Sequence, residues 1–588
     1  MTQKVGKWVT IAGLGVLPVF FLPFTQDYYD TNKWILLVGT SLILFFLWGL
    51  RAAITGSLPW NKSGLVKSLG VLVLASLVSL LFSPNKTESV LAPFGLGTFL
   101  SLFAIAIIGG TFLDEKGKII LKWFLMTSVS LSGLLAIYQF FGLGKILFPW
   151  TPVGTSVGLM TVLLVSLPIL ISEALHRKRA GHDTHMIVAI VMSIACLGGL
   201  VLTAYQVLPT WGGATLPFWV NWEIMLESYK NLKQLLVGVD AQNFLGAFTV
   251  GRPVIINMTD LWNTRFIVGS SMLFHIATVQ GLVGVGAMVW FLTRLRNPVL
   301  LLGTLSLIFL PPSFPALVVI VTLHILLEPS SVPKRFNLLW LRYPMVAFIL
   351  ILIAASSYGL VRAYGAELAF ASSLKALENR DGTGAYNAQI QAITRNPRVA
   401  RFHTAYSQTN LALAGAIAKQ ATPSAEERKT ATELIQQAIR EAKIGVNLAP
   451  TNILAWENIA SVYQALAGVA QGADQWTVAA YQQAMQLDPT NPVIRLRLGG
   501  AYVGQQKLDQ AAESYATAIN LKPDYANAYY NLAFVYREQK KYLPAAQALK
   551  ESLKYVTSPD DVTRAQKELD DLREFLTEEE KQLLSPLP

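Results

Sequence analysis

Between Gly238 and Gly284 the chain reads GVDAQNFLGAFTVGRPVIINMTDLWNTRFIVGSSMLFHIATVQGLVG, a polar segment carrying Arg252 and Arg265 that runs into an apolar helix. Guanidinium groups stay charged, and their forked donors match phosphate oxygens, so two of them in one loop suit an anionic ligand such as a diphosphate. Asn243 adds a neutral donor and acceptor. Asp240, in the turn just before it, is the loop carboxylate best placed to take a proton from an acceptor hydroxyl, although hydrogen bonding within its own turn would use the same group. Ser270 and His275 stand at the start of the following helix, where His275 acts either on a proton or as a packing residue. Tyr205, ending an earlier apolar run, is a candidate for the entrance to the same cavity.

These residues cannot face lipid, because an unsatisfied polar group in hydrocarbon costs several kcal/mol. The loop is therefore expected in water or lining a polar cavity at a membrane surface. No HExxH, DxD or cysteine pattern accompanies it, so no metal and no cofactor is expected. The single cysteine, Cys196, lies in an apolar run and reads as helix packing; it excludes an internal disulfide.

The elements that would position this loop follow from composition. The chain has 588 residues, 53% hydrophobic and only 14% charged, which implies an apolar part joined to a polar one. Through Leu360 there are 23 Lys+Arg against 12 Asp+Glu, and beyond it 24 against 24, so the net charge of +11 belongs to the apolar part. That excess reports membrane orientation and gives no support to nucleic-acid binding.

Eleven apolar runs, centred near residues 16, 43, 75, 104, 130, 164, 196, 281, 306, 321 and 350, are expected to cross the membrane. The ninth and tenth, broken by Pro311, Pro312 and Pro315, could instead form a re-entrant hairpin. Basic residues gather in alternate loops, from Lys4 and Lys7 through Arg51, Lys116 and Arg177 to Arg335, which puts the N-terminus inside and everything after Leu360 outside. The loop from 206 to 267 falls on that outer side. Within it Asn221 is expected to cap a short helix whose Trp222, Met225, Leu226 and Tyr229 share one face, set at the membrane interface or against the chain's own helices.

Beyond Pro450 the period changes. Leu498, Gly499, Tyr502, Ala511, Tyr515, Ala518 and Pro523 follow tetratricopeptide spacing, and Tyr529, Leu532, Tyr536 and Ala545 continue it in the next unit. The expected fold class is all-α: a polytopic membrane bundle followed by a tetratricopeptide α-solenoid. Its divisions are a membrane domain over 1–360, a helical connector with degenerate repeats over 361–449, repeats over 450–558, and a capping helix and tail over 559–588.

With GVDAQNF at 238–244 and the pair Gly281 and Gly284 in view, the first 360 residues resemble the O-antigen ligase and polymerase family. These are polytopic enzymes of the membrane-embedded, GT-C-like glycosyltransferase type. The resemblance implies metal-independent, inverting transfer of a glycan from a polyprenyl diphosphate to an extracytoplasmic glycan, lipid or protein acceptor. It also implies a multi-pass protein of the bacterial cytoplasmic membrane, with extracytoplasmic repeats that recruit a protein partner. Eleven residues before Gly281 the family pattern places a histidine, and here that position is Ser270, followed by a permitted Ser271. A subgroup with other proton-handling groups, substitution by His275, or a different activity are the open readings. The alternative function is a non-enzymatic membrane scaffold whose repeats gather envelope or polysaccharide-assembly proteins.

Overall fold

The computed structural model describes residues 1–142, 151, 153–208, 215–295, 297–328, 334–337, 342–468 and 470–584. It divides into two compact units, one of residues 1–247 and 266–402, the other of residues 248–265 and 403–588. The first unit therefore extends past Leu360, and a piece of the long loop belongs with the repeats.

In the first unit every one of the eleven apolar runs forms a helix. Seven are long and apolar enough to cross a membrane: Asp30–Thr55, Gly64–Leu81, Glu115–Phe140, Ser156–Arg179, Asp183–Val207, Met272–Arg294 and Arg342–Glu378. The others, Thr2–Val16, Leu96–Phe112, Pro298–Phe309 and Phe314–Leu327, are shorter. Leu96–Phe112 contains a wider π turn at Ile105–Gly109, and Pro315 occupies the first turn of Phe314–Leu327, where its missing N–H costs nothing.

Side chains close the helix starts. Ser63, Asn85, Asp114, Thr155, Ser271 and Ser313 each accept an amide from the first turn, satisfying a donor that has no partner within the helix. Among the described residues a short strand pair departs from helix: Ser57–Trp60 pairs antiparallel with Lys334–Asn337, and the Trp48 indole N–H donates to the Pro59 carbonyl at 2.6 Å. These two extended segments follow and precede apolar helices, and pairing satisfies backbone groups of their own that would otherwise lack partners.

The short helix of the long loop runs Phe218–Ser228, three residues ahead of the expected cap. Asn221 is fully buried within it; its Oδ1 accepts the Ser270 amide at 2.7 Å and the Ser270 hydroxyl at 3.3 Å. Val220, Ile224 and Met225 face inward, while Phe218, Trp219, Trp222 and Leu226 are exposed. The expected stripe thus splits: Met225 packs inside, and the tryptophans leave an apolar outer face suited to a membrane interface.

In the second unit, helix hairpins stack as the repeat spacing predicts: Ile453–Ala465 with Ala473–Leu487, Pro492–Gly504 with Leu508–Leu521, and Ala526–Glu538 with Tyr542–Leu553. Ala484, Ala511, Ala518 and Ala545 are buried because only a methyl fits where paired helices approach, and Tyr481 and Tyr515 fill the spaces beside them. Each such buried aromatic contributes about 1.5–3 kcal/mol. Ser424 and Glu427 form a reciprocal capping box at the start of Ala425–Leu448. Past the repeats, the helix Pro559–Arg573 sets Ala565, Leu569 and Leu572 against the last hairpin and turns its charges outward.

Candidate functional site

The two glycine motifs of the first unit meet backbone to backbone. Met272–Arg294 is interrupted at Gly281, whose φ of 60° and ψ of −157° are open to glycine alone. The break frees carbonyls in the preceding turn, and the segment after Gly238 takes them up: Val239 N–H donates to Thr278 O at 3.1 Å and Asp240 N–H to Val279 O at 2.9 Å. Ser79 Oγ donates to Val279 O as well, at 3.0 Å. A Cβ on Gly238 would stand 2.2 Å from the Val279 carbonyl carbon, so this approach excludes any side chain. The motif spacing legible in the sequence is a clamp holding a broken helix.

Asp240 closes that clamp. It is 4% exposed, with φ of 84°; Oδ2 accepts Ser83 Oγ at 2.8 Å and also Ser89 Oγ, and the Ala241 and Gln242 amides add hydrogen bonds. Burial pushes its carboxyl up, against the lowering effect of the serines. Only about 10 Å³ of free space adjoins it, room for one water at most, so a glycan hydroxyl cannot reach it.

The other expected proton-handling residues are also enclosed. Ser270 is held by Asn221, and Ser271 caps its helix. His275 is 2% exposed, accepts the Gly269 amide at Nδ1 at 3.3 Å, and lies between the rings of Phe94 and Phe244, 5.4 and 5.2 Å away. Asn243 is half-buried and starts the helix turn that continues through Ala247. Tyr205 is exposed, its ring against Phe140.

The loop arginines belong to the second unit. Arg252 is 3% exposed rather than solvated: Nε donates to Thr490 Oγ1 at 3.1 Å, Nη1 to Trp262 O at 3.0 Å and Nη2 to Asn257 Oδ1 at 3.3 Å, with Asp488 paired at 3.3 Å. Arg265 forks onto Glu457 at 2.9 and 2.7 Å. Asn257 donates to Thr490 O and Leu521 O, accepts Lys522 Nζ on its carbonyl at 2.9 Å, and Lys522 lies over the Trp262 ring. The segment is strapped to the repeats, with its guanidinium donors taken by protein acceptors.

What the first unit offers instead is a pair of adjoining cavities. The larger, about 950 Å³, is walled by apolar side chains of three helices, among them Val38, Leu42, Phe45, Leu100, Leu352 and Leu360. Lys86, Arg362, Arg395 and Arg398 also line it. Among the described residues no carboxylate lies within ion-pair distance of these four. Arg362 uses all three guanidinium nitrogens, Nε to Arg395 O at 2.8 Å, Nη1 to the Tyr358 hydroxyl at 3.0 Å and Nη2 to Thr394 O, while Arg395 Nη1 donates to Gly365 O at 2.6 Å. The smaller cavity, about 300 Å³, shares Trp34, Leu91 and Ala363 with the first and is the more polar of the two, with Asp30, Glu88, Gln242, Tyr364, Glu367 and Arg401 in its lining.

Five separate segments build this chamber. Asn32, at the start of its helix, donates to Leu22 O and Tyr28 O and accepts the Tyr364 hydroxyl at 3.1 Å. Arg401 pairs with Glu367, donates to Gln26 Oε1 at 2.6 Å, and is stacked over Phe370 and Phe402. Glu88 Oε1 accepts the Ala400 amide at 3.1 Å and Oε2 accepts Asn85 Nδ2 at 2.9 Å. Burial pushes Glu88 up to about 7, with the nearby Asp240 and Glu367 adding to the rise and Arg401 and the Ala400 amide opposing it. None of these chamber residues stands out in the sequence. The available signal was the short polar run SPNKTES between two apolar helices, where an ionisable residue is costly unless it serves a site.

Comparison with known proteins identifies the second unit's repeats. Residues 470–519 match the tetratricopeptide repeat model and residues 499–540 a second TPR repeat model, so the C-terminal part carries tetratricopeptide repeats. Solved structures similar to this region include MamA, 20% identical over 31% of this chain and 93% of its own, with a TM-score of 0.25. A second is YrrB, described as a TPR protein with an unusual peptide-binding site, 14% identical over 34% of this chain and 91% of its own, TM-score 0.26. A third is TTC0263, a thermophilic TPR protein of Thermus thermophilus, 16% identical over 34% and 97%, TM-score 0.26. No curated protein sequence matches the chain significantly.

Proposed function

We propose that the chain is a membrane-embedded transferase that takes a glycan from a prenyl diphosphate carrier and passes it to a hydroxyl acceptor outside the cytoplasm. The observation that carries this reading is the apolar cavity of about 950 Å³ with four basic residues in its lining, opening beside a polar chamber that holds Glu88 and Glu367. Apolar walls suit the prenyl tail, and cations without a carboxylate partner suit the diphosphate, whose developing charge must be stabilised as the sugar leaves. The chamber would receive the sugar and its acceptor. In this reading Lys86, Arg362, Arg395 and Arg398 take the diphosphate role that the sequence suggested for Arg252 and Arg265, whose donors are engaged within the repeat unit. Basic residues in alternate loops support an extracytoplasmic position for Lys86 and for everything after Leu360.

A second reading, a scaffold that gathers envelope proteins, is favoured by the tetratricopeptide repeats themselves, since such repeats bind protein partners. The two separate on one experiment. Cells carrying the Lys86→Ala/Arg398→Ala double variant, expressed at the normal level, should lose a glycan linkage seen in wild-type glycan and glycoprotein profiles. Unchanged profiles, together with a protein partner that still co-purifies, would leave the scaffold reading standing.

A further inference from the structure

We propose that Glu88 is the proton acceptor of the transfer step, taking the hydrogen of the attacking hydroxyl inside the polar chamber; this rests on the transferase reading above. Three observations support it. Glu88 lines a cavity of about 300 Å³, large enough for a sugar hydroxyl and its ring, whereas Asp240 faces room for a single water. Its carboxylate is fixed by Asn85 Nδ2 on one oxygen and the Ala400 amide on the other, and among the described residues no cation pairs with it. Glu367, which shares the chamber, is already neutralised by Arg401. The wall common to the two cavities, Trp34, Leu91 and Ala363, lies where a sugar joined to a diphosphate in the groove would enter the chamber.

In the step itself, the acceptor oxygen forms a bond to the anomeric carbon as its proton passes to a Glu88 carboxylate oxygen. The bond from that carbon to the diphosphate oxygen breaks, and its electron pair leaves on the prenyl diphosphate. Glu88 then returns the proton to water. The charged groups facing Glu88 are Arg401, Glu367, Asp30 and Asp240. A carboxyl held near neutrality by its burial is matched to this task, because a base works best when its pKa lies near the working pH.

The test uses the full-length protein in native membranes, reading transfer of radiolabelled glycan from the native prenyl-diphosphate pool, with farnesyl diphosphate binding measured alongside. Glu88→Gln should lower transfer about 10²- to 10⁴-fold and leave farnesyl diphosphate binding within twofold. The wild-type rate should rise tenfold per pH unit below about 7 and level off above it, and formate should partly restore Glu88→Ala. If Glu88→Gln also loses lipid binding, the wild-type pH profile and the formate rescue decide instead. Transfer by Glu88→Gln within threefold of wild type, or a wild-type rate flat from about pH 5.5 to 8.5 with no rescue, overturns the assignment and leaves the transferase reading intact. Absence of any transfer by the wild-type chain overturns both.

Discussion

Arg252→Ala should cost the repeat unit far more than a loop substitution normally does. The substitution removes a guanidinium that is 3% exposed and leaves Asp488, 1% exposed, without its cation. Asp488 Oδ2 retains the Asn491 amide at 2.7 Å, but Oδ1 receives no hydrogen bond among the described residues, so its charge is compensated chiefly by Arg252. Breaking a buried pair from one side costs about 3–5 kcal/mol, because the remaining charge stays out of water. The stranded Trp262 carbonyl acts in the same direction. Replacing both partners together, Arg252→Met with Asp488→Leu, should recover most of that loss, since apolar groups of similar volume require no compensation. Urea denaturation of the detergent-solubilised chain, followed through the tryptophans of the repeat unit, reads both effects. A single variant within about 1 kcal/mol of wild type, or a double variant no better than the single, would refute the strap between this segment and the repeats.

Other expectations follow from particular residues. Gly281→Ala should lower stability by about 3 kcal/mol or more, because the Cβ would sit 2.7 Å from Gly238 N at a φ of 60°; an unchanged melting temperature in detergent would show that the clamp is absent. Burial pushes the Glu441 carboxyl up, but His403 and Arg440 outweigh it and hold it below its usual range. A depressed acid gives stability that is present above its unfolded pKa and lost as pH falls through the folded value, so Glu441→Gln should flatten the arm's acid sensitivity below about pH 4.5. Equal acid sensitivity in both proteins would contradict that role. A reporter fused to the C-terminus should be active only outside the cytoplasm, and cytoplasmic activity would overturn the eleven-crossing arrangement.

The repeats were legible because their signal is local and periodic. Ala511, Tyr515 and Ala518 stand at fixed offsets, and the contact that requires Gly499, where a Cβ would meet the Tyr515 ring at 2.4 Å, lies within one repeat. The apolar helices were legible for the same reason, since length and composition are enough to recognise them. The motif at Gly238 and Gly281 was visible as spacing, but its purpose depends on a backbone meeting across some forty residues that no periodicity encodes. Arg252 and Arg265 read as solvated because their acceptors Thr490 and Glu457 lie 238 and 192 residues further along the chain. Glu88 was marked only by the short polar run SPNKTES around it, and Arg401 and Glu367 had no local signal. Each is a single charged residue in a different segment, and only the packing of those segments makes a chamber of them.

Binding of a prenyl diphosphate to the apolar cavity tests the transferase account most directly. Calorimetry of the purified chain in detergent should show saturable binding of farnesyl diphosphate, much weaker binding of farnesol, and for Lys86→Ala/Arg398→Ala a loss of about 10²- to 10⁴-fold, at roughly 1.5–3 kcal/mol for each of the two charge-assisted contacts removed. Arg265→Ala should leave that binding unchanged. Equal affinity for farnesol and farnesyl diphosphate, or a double variant that binds the diphosphate as tightly as wild type, would contradict the account.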